Sequence, residues 1–483
     1  MDYTKKLSDE FLCSIFSHLI NPTVVLPPLS GDSSLRLMAV SQRWRRTILE
    51  STHLWDTIVI IPTSPVLTLR LVKIAEKWLK AHWNNGHILS VFLLRPRYPV
   101  DVDISQPKSR ERTQIFRIVE DGILPVARST ESFSCTLSTK DAAEAFFTIP
   151  PGIFYGLEHL ELSVPMVPDQ ELARAMKRTI KEELHRFTAF QSLPRLRSAV
   201  ITLKNGIHPL AFKIPWRQLT KLDMIHTILR PHIFLEVISS SAFSLEDGSF
   251  AIRFKKISRS HSSGLQKIFR IAKLPFLQNL RLRLIDPTLD TRIFSCVHLT
   301  ALCRFRIDLV HDRDEAGWVM SIYENLLSKS SNTLKSLTFW DAQLAGARSE
   351  QDLDGLFSML PKLEYLHLPV GVYIPQNSAD KIAQGILLPS LRILDASSPI
   401  GLDILDVVRR RNQLAYYRSG WVGSSKLDRG TIGISSYPPF FLHVLLFTSS
   451  DYRSKVEVAK RYLLSSSSSQ GTSLDIRYAN FAV

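Results

Sequence analysis

Leu274-Pro275-Phe276-Leu277-Gln278-Asn279-Leu280-Arg281-Leu282-Arg283 sets an apolar residue at its first, fourth, seventh and ninth positions. The last two alternate with arginines, the period of a strand that buries one face. The two before them bend the chain back over that strand. The pattern recurs at Phe154, Leu157, Leu160, Leu162; at Leu193, Leu196, Ala199, Ile201; and at Trp216, Leu219, Leu222, Met224. It returns at Leu299, Leu302, Phe305, Ile307; at Leu360, Leu363, Leu366, Leu368; and at Leu388, Leu391, Leu394, Ala396. A copy at Leu334, Leu337 and Phe339 has Ser331 in first place, and a weaker one around Phe250 and Ile252 fills a double-length gap. Several copies start Leu-Pro, which is tolerable because the opening turn lies outside the strand ladder. Residues 169–190, 230–239, 315–329 and 349–359 read as helices between copies. One such motif is weak, since many amphipathic segments match it. Eight or nine in series predict an α/β architecture of parallel strands with intervening helices. An irregular α/β domain with coincidentally spaced leucines is the alternative.

The third apolar places fall at 160, 199, 222, 250, 280, 305, 337, 366 and 394. Most intervals lie close to the roughly 20 to 29 residues of a leucine-rich repeat. The chain over 154–400 resembles a degenerate array of that family, which implies a solenoid with parallel strands on a concave face and helices outside. In such strands the residues between the buried ones face the concave surface. Here those are Arg253, Arg281, Arg283, Arg306, Asp308, Thr338, Trp340 and His367. Neighbouring strands lie about 4.8 Å apart, so the arginines are expected to form one basic patch edged by Trp340. Arg253, Arg281, Arg283, Arg306, Trp340 and His367 are the expected substrate-binding set. An acidic or phosphorylated peptide is the expected ligand, because arginine forks suit carboxylate and phosphate. A merely solvated positive face is the competing reading.

The N-terminal segment carries a different signal. Leu7-Ser8-Asp9-Glu10 leads into an apolar stripe at Phe11, Leu12, Ile15, Phe16 and Leu19. After Pro22, Pro27 and Pro28 a second stripe follows at Leu37, Val40, Trp44 and Ile48, closed by Leu54-Trp55. Both have helical spacing, and the spacing reads as two short helices. So few residues bury too little surface to be stable alone; they need a partner or the rest of the chain. The segment resembles an F-box, through Leu7, Glu10, Ile15-Phe16, Leu19, Leu37, Val40-Ser41, Trp44 and Leu54-Trp55. Ser8 departs from that family's usual proline, and the stretch 21–34 is longer than usual, which puts the first part of the partner surface in doubt. The resemblance implies binding to the Skp adaptor, and through it to a cullin–RING ubiquitin ligase. Leu7, Glu10, Ile15, Phe16, Leu19, Val40 and Trp44 are then the adaptor-binding residues. With Trp78 and Trp83 ahead of a second strand, the order is similar to expanded fungal F-box families.

The expected organisation is therefore an F-box at 1–62, a transition with first irregular repeats at 63–153, and the array at 154–400. A capping region at 401–464 and a Ser-rich flexible tail at 465–483 complete it. In the transition, 57–61 and 88–94 read as strands, 67–82 and 110–128 as helices. In the capping region, 402–411 and 452–464 read as helices and 440–447 as a buried strand.

Composition is that of an ordinary globular protein, with 45% hydrophobic and 22% charged residues. No apolar run reaches the roughly 18 residues of a membrane span, and the N-terminus does not read as a signal peptide. The expected location is the cytosol, the nucleus or both. Cys13, Cys135, Cys296 and Cys303 read as buried structural thiols of a reducing compartment. The net charge of +15 suits nucleic acid, an acidic membrane surface or an acidic protein partner. Direct RNA binding is disfavoured by the lack of a dense Lys/Arg block. Cys296, His298, Cys303 and His311 fit no common zinc spacing, and no metal or cofactor is expected. Asp286, Asp290, Asp312 and Asp314 lack a nucleophile beside them, so no enzymatic activity is expected. A non-degradative scaffold is the alternative to a ubiquitin-ligase substrate receptor.

Overall fold

In a computed structural model the chain is a mixed α/β protein. The structure describes residues 6–20, 23–26, 33–51, 54, 57–60, 87–91, 120, 124–128, 130–137, 146, 149–164, 188–203, 207–254, 271–285, 292–310, 326–341, 349–350, 353–368, 372–398, 410, 441–446 and 474–478. Two compact units divide it, Met1–Ile228 and Leu229–Val483, a division that runs through the segment expected as one array. The expected helices at 67–82, 402–411 and 452–464 fall outside the described residues, apart from residue 410. So do most of those at 110–128, 169–190 and 315–329, and the serine tract at 465–469.

The first unit begins with three helices, α1 (Asp9–Leu19), α2 (Ser33–Val40) and α3 (Gln42–Glu50). Two were expected. The second stripe is broken at Ser41, whose backbone is extended and whose side-chain oxygen accepts from the Trp44 N–H at 3.1 Å. That hydroxyl satisfies one donor left open in the first turn of α3. Ser41→Ala is expected to cost about 1 kcal/mol by urea denaturation, and Ser41→Asp close to nothing; equal losses would assign Ser41 another role.

Seven strands are described with them: β1 (Thr23–Leu26), between α1 and α2, then β2 (Thr57–Ile60), β3 (His87–Val91), β4 (Thr130–Thr136), β5 (His159–Val164), β6 (Ser198–Leu203) and β7 (Lys221–Leu229), whose last residue falls past the unit boundary. Each pairs with the next in parallel. β1 lies inside the proline-flanked stretch read as a break. Pro22 and Pro27 stand just outside its four residues, so neither removes a donor from the ladder. Phe133, Phe146, Phe154 and Phe190 are fully buried below β4 and β5.

In the second unit the strands are β8 (Asp247–Arg253), β9 (Ala272–Lys273), β10 (Asn279–Ile285), β11 (Val297–His298), β12 (Arg304–Val310), β13 (Ser336–Asp341), β14 (Ser349–Glu350), β15 (Tyr365–His367), β16 (Val372–Tyr373), β17 (Ile393–Ser398), β18 (Phe441–Leu446) and β19 (Leu474–Tyr478). The main ladder runs β8-β10-β12-β13-β15-β17-β18-β19, parallel throughout. β9 with β11, and β14 with β16, form two short separate pairs. Ser349 and Glu350 are thus strand, and the helix expected over 349–359 is confined to Asp354–Ser358. The tail expected to be flexible contributes β19.

The recurrent motif maps onto a recurrent backbone arrangement. In five copies the N–H of the second apolar residue bonds the carbonyl of the first: Leu157 to Phe154, Leu196 to Leu193, Leu219 to Trp216, Leu363 to Leu360 and Leu391 to Leu388. The three-residue spacing is thus one tight turn. At the start of the strand in most copies of the motif, one carbonyl of the preceding copy accepts from two successive N–H groups. Gln278 O takes those of Cys303 and Arg304, Cys303 O those of Lys335 and Ser336, and Lys335 O those of Glu364 and Tyr365. This fixes the register, so Leu280, Phe305, Leu337, Leu366 and Leu394 stand level and buried. The weak copy is displaced by two residues: Gly248, not Phe250, stands level with Leu280. A Cβ at Gly248 would come within 2.8 Å of the Phe250 ring, which fills the third apolar place from the fourth.

Candidate functional site

Two surfaces, one in each unit, hold the residues singled out in the sequence. In the first unit, α1 has two adjacent apolar stripes. Leu12, Phe16 and Ile20 are buried, whereas Phe11, Ile15 and Leu19 are exposed, Phe11 by 64%. A step of one residue turns about 100° around a helix, so the apolar arc is wider than this small core covers. The core itself is Leu12, Phe16, Ile20, Ile48 and Leu54, with Leu7, Leu37, Met38 and Trp44 packed against it. Phe16 meets Trp44 edge to face at 5.0 Å. Val40, 60% exposed, and Leu35 add apolar surface on α2, and Leu49 on α3.

Polar contacts tie α3 to the first turn of α1. Arg43 pairs with Asp9 at 2.7 Å and donates to the Leu7 carbonyl at 2.6 Å. Ser8 precedes the first helical residue, and its side chain accepts from the Phe11 N–H at 3.3 Å. It acts as a helix cap where a proline would supply only a fixed φ. Of the expected adaptor set, Glu10, Ile15, Leu19 and Val40 are exposed, Leu7 and Trp44 are half-buried in the core, and Phe16 is fully buried. Phe16 therefore holds the helices together and offers no surface to a partner. Phe11 was in the apolar stripe but missing from that set, because spacing alone does not say which of two adjacent stripes is covered.

In the second unit, strand pairing sets Arg281, Arg306, Thr338, His367 and Asp395 level across β10, β12, β13, β15 and β17. One row along, Arg283, Asp308 and Trp340 are level. Their side chains form a continuous ridge. Arg281 bonds one oxygen of Asp308 through Nε at 2.8 Å, and the Arg306 Nε bonds the other at 2.7 Å. The Arg306 guanidinium lies over the Trp340 ring at 5.6 Å. Trp340 stacks on His367 at 5.5 Å, and the His367 Nδ1 lies 2.8 Å from the Asp395 Oδ2. Arg306 and His367 come from the strands on either side of β13, and Trp340 between them remains 50% exposed.

The basic patch expected from the sequence, with Asp308 on the same face, is thus corrected in the place of Arg253. Asp308, only 6% exposed, neutralises part of it. Arg253 stands level with Ile285, two residues beyond the level of Arg283, away from the ridge. Asp247, Asn279, Arg281, Arg304, Arg306, Ser336 and Thr338 instead line a shallow groove of about 350 Å³. Arg304 was not singled out, although it lies two residues before Arg306 in the same alternation; its Nε bonds the Asn279 side-chain oxygen at 2.6 Å. On β15, burial and then the Asp395 carboxylate raise the Tyr365 pKa against the opposing pull of Arg306. Its phenol is a neutral donor at physiological pH.

Other groups carry less chemistry. All four cysteines are free thiols. Burial, and secondarily Glu161, push the Cys135 thiol pKa up, so it stays protonated and unreactive. His311 lies outside the described residues, and among those described no three His, Cys, Asp or Glu residues are placed to hold a metal. No described helix is long and apolar enough to cross a membrane. Neither a protein-family model nor a curated protein matches the sequence.

Proposed function

We propose that the chain is the substrate-recognition subunit of a Skp–cullin–F-box ubiquitin ligase. The N-terminal helices act as the F-box that holds the Skp adaptor, and a leucine-rich-repeat-like array holds the target protein. The observation that carries this reading is the exposed stripe of Phe11, Ile15 and Leu19, set beside a fully formed core on the same helix. Apolar side chains held out on a capped and tethered helix fit a partner that covers them. Parallel strands in fixed register, with polar residues on one face, fit a surface that reads another protein. The bond-forming step then belongs to partner subunits, and this chain contributes proximity. RNA as the target is disfavoured by the lack of a dense Lys/Arg block.

Affinity purification of the full chain, with and without proteasome inhibition, tests the reading. Adaptor and cullin are expected in both samples, and a further protein is expected to accumulate only under inhibition. A purification without adaptor would count against the F-box. Adaptor and cullin with no inhibition-dependent partner would favour a non-degradative scaffold.

A further inference from the structure

The groove on the second unit carries more specificity than a general attraction for acids. Arg281, Arg304 and Arg306 each have Nε satisfied from within the sheet, by Asp308, Asn279 and Asp308. Their inner edges are therefore fixed. Among the described residues, Arg304 and Arg306 use no terminal nitrogen in a hydrogen bond or ion pair, and Arg281 uses only Nη2, on Asp308. Ser336 and Thr338 line the same groove. A cluster of fixed donors suits a ligand that only accepts.

Charge selects within that class. Three guanidinium groups face the carboxylates of Asp247 and Asp308, a surplus of one positive charge, and Arg283 on the next row adds a second. A phosphate monoester carries about −1.5 to −2 at pH 7 with three acceptor oxygens; a carboxylate has one charge and two. Arg304 and Arg306 lie two residues apart on β12, and Arg281 is level with Arg306 on β10, so the three surround a tetrahedral anion better than a planar one. Trp340 is the one large apolar side chain exposed on the described parts of β8 to β17. One apolar side chain beside the groove suits one neighbouring residue of a peptide.

We propose that this groove binds a phosphoserine or phosphothreonine side chain of an extended peptide, with Asp308 as the positioning residue for Arg281 and Arg306. The assignment rests on the receptor reading only for the protein that supplies the peptide. Asp308 gives it a sharp signature. A purely electrostatic site would bind an anion more tightly once that carboxylate is removed. A site that depends on oriented forks binds it more weakly, because both arginines lose the group that holds them.

The test uses the full chain and three pools of peptides with degenerate flanks, centred on phosphoserine, glutamate or serine. Capture of the phosphoserine pool is expected to exceed that of the glutamate pool at least tenfold, with no capture of serine. Arg281→Lys with Arg306→Lys keeps the charge and is expected to lose tenfold or more. Asp308→Asn is expected to lose about fivefold despite the more positive groove. Arg304→Lys, which leaves the Asp308 clamp intact, checks the loss independently of any effect on folding, and the thermal midpoint of each variant is measured alongside. Equal capture of the phosphoserine and glutamate pools, tighter binding by Asp308→Asn, or unchanged binding by the lysine variants would overturn the assignment. So would displacement of the phosphoserine pool by single-stranded RNA at equal phosphate concentration. Adaptor capture, read on the same preparations, separates the two readings: phosphate selectivity without adaptor keeps the groove and removes the receptor, and the converse removes the groove alone.

Discussion

Ile15→Asp combined with Leu19→Asp is expected to reduce adaptor capture more than a hundredfold while the thermal midpoint of the chain stays within a few degrees of wild type. Both side chains are exposed on α1, so the free protein loses no core packing. In a complex that covers them, each aspartate is a charge taken from water into an apolar contact without a partner, at a cost of several kcal/mol. About 2.7 kcal/mol already corresponds to a hundredfold change in affinity. Phe16→Ala is the informative contrast. Phe16 is fully buried and packs edge to face on Trp44, and truncating a buried phenylalanine costs about 3 to 5 kcal/mol. The core these helices share is only Leu12, Phe16, Ile20, Ile48 and Leu54 and has little more stability than that to lose, so Phe16→Ala is expected to lose the adaptor by unfolding the helices. Pull-down and circular dichroism on the two variants distinguish the causes. Full adaptor capture by the aspartate variant would show that the exposed stripe is not the adaptor surface.

The strands were legible in the sequence because two local signals reinforced each other. The three-residue step of Leu193 to Leu196, or Leu360 to Leu363, is a single hydrogen-bonded turn, and the alternation after it has the strand period. Both are read from neighbours along the chain. The copy at 250 was misplaced for the opposite reason. Its third place is held by Gly248, and the apolar mass there comes from the Phe250 ring, which spacing reports as a shift of two. β1 was hidden by prolines that flank Thr23–Leu26 without entering it. β19 was hidden by the serines before it.

The candidate sites were legible only in part, because they depend on distances across the sheet. Arg281 and Arg306 were identifiable as residues of one face. That both are clamped by Asp308 follows only once Arg283 and Asp308 are known to be level. On α1 the sequence shows an apolar arc from Phe11 to Ile20. Which half of it is covered is decided by α3, through Ile48, Trp44 and the Arg43 pair with Asp9.

Ending the chain after Val310 is expected to abolish the folded state of the second unit while the first unit stays protected. The cut falls at the end of β12 and removes β13, β15 and β17 to β19 from a ladder in which each strand pairs with its sequential neighbours. β12 would then present a free edge, and Phe305, Ile307 and Leu309, all at or below 3% exposure, would lose their cover from Leu337 and Phe339. Assemblies whose stability comes from contacts between successive strand units lose it beyond the cut. Hydrogen exchange is the appropriate measurement. Amides of β4 to β7 are expected to keep their protection in the 1–310 fragment, and those of β8, β10 and β12 to exchange at least a hundredfold faster than in the full chain, with binding of a hydrophobic dye. Among the described residues, removing 465–483 takes away β19 and its pairing with β18, and is expected to leave β8 to β15 protected. Wild-type protection of β10 and β12 in a monomeric 1–310 fragment would mean that those strands belong to a domain complete without β13, and that the ladder is not the source of the unit's stability.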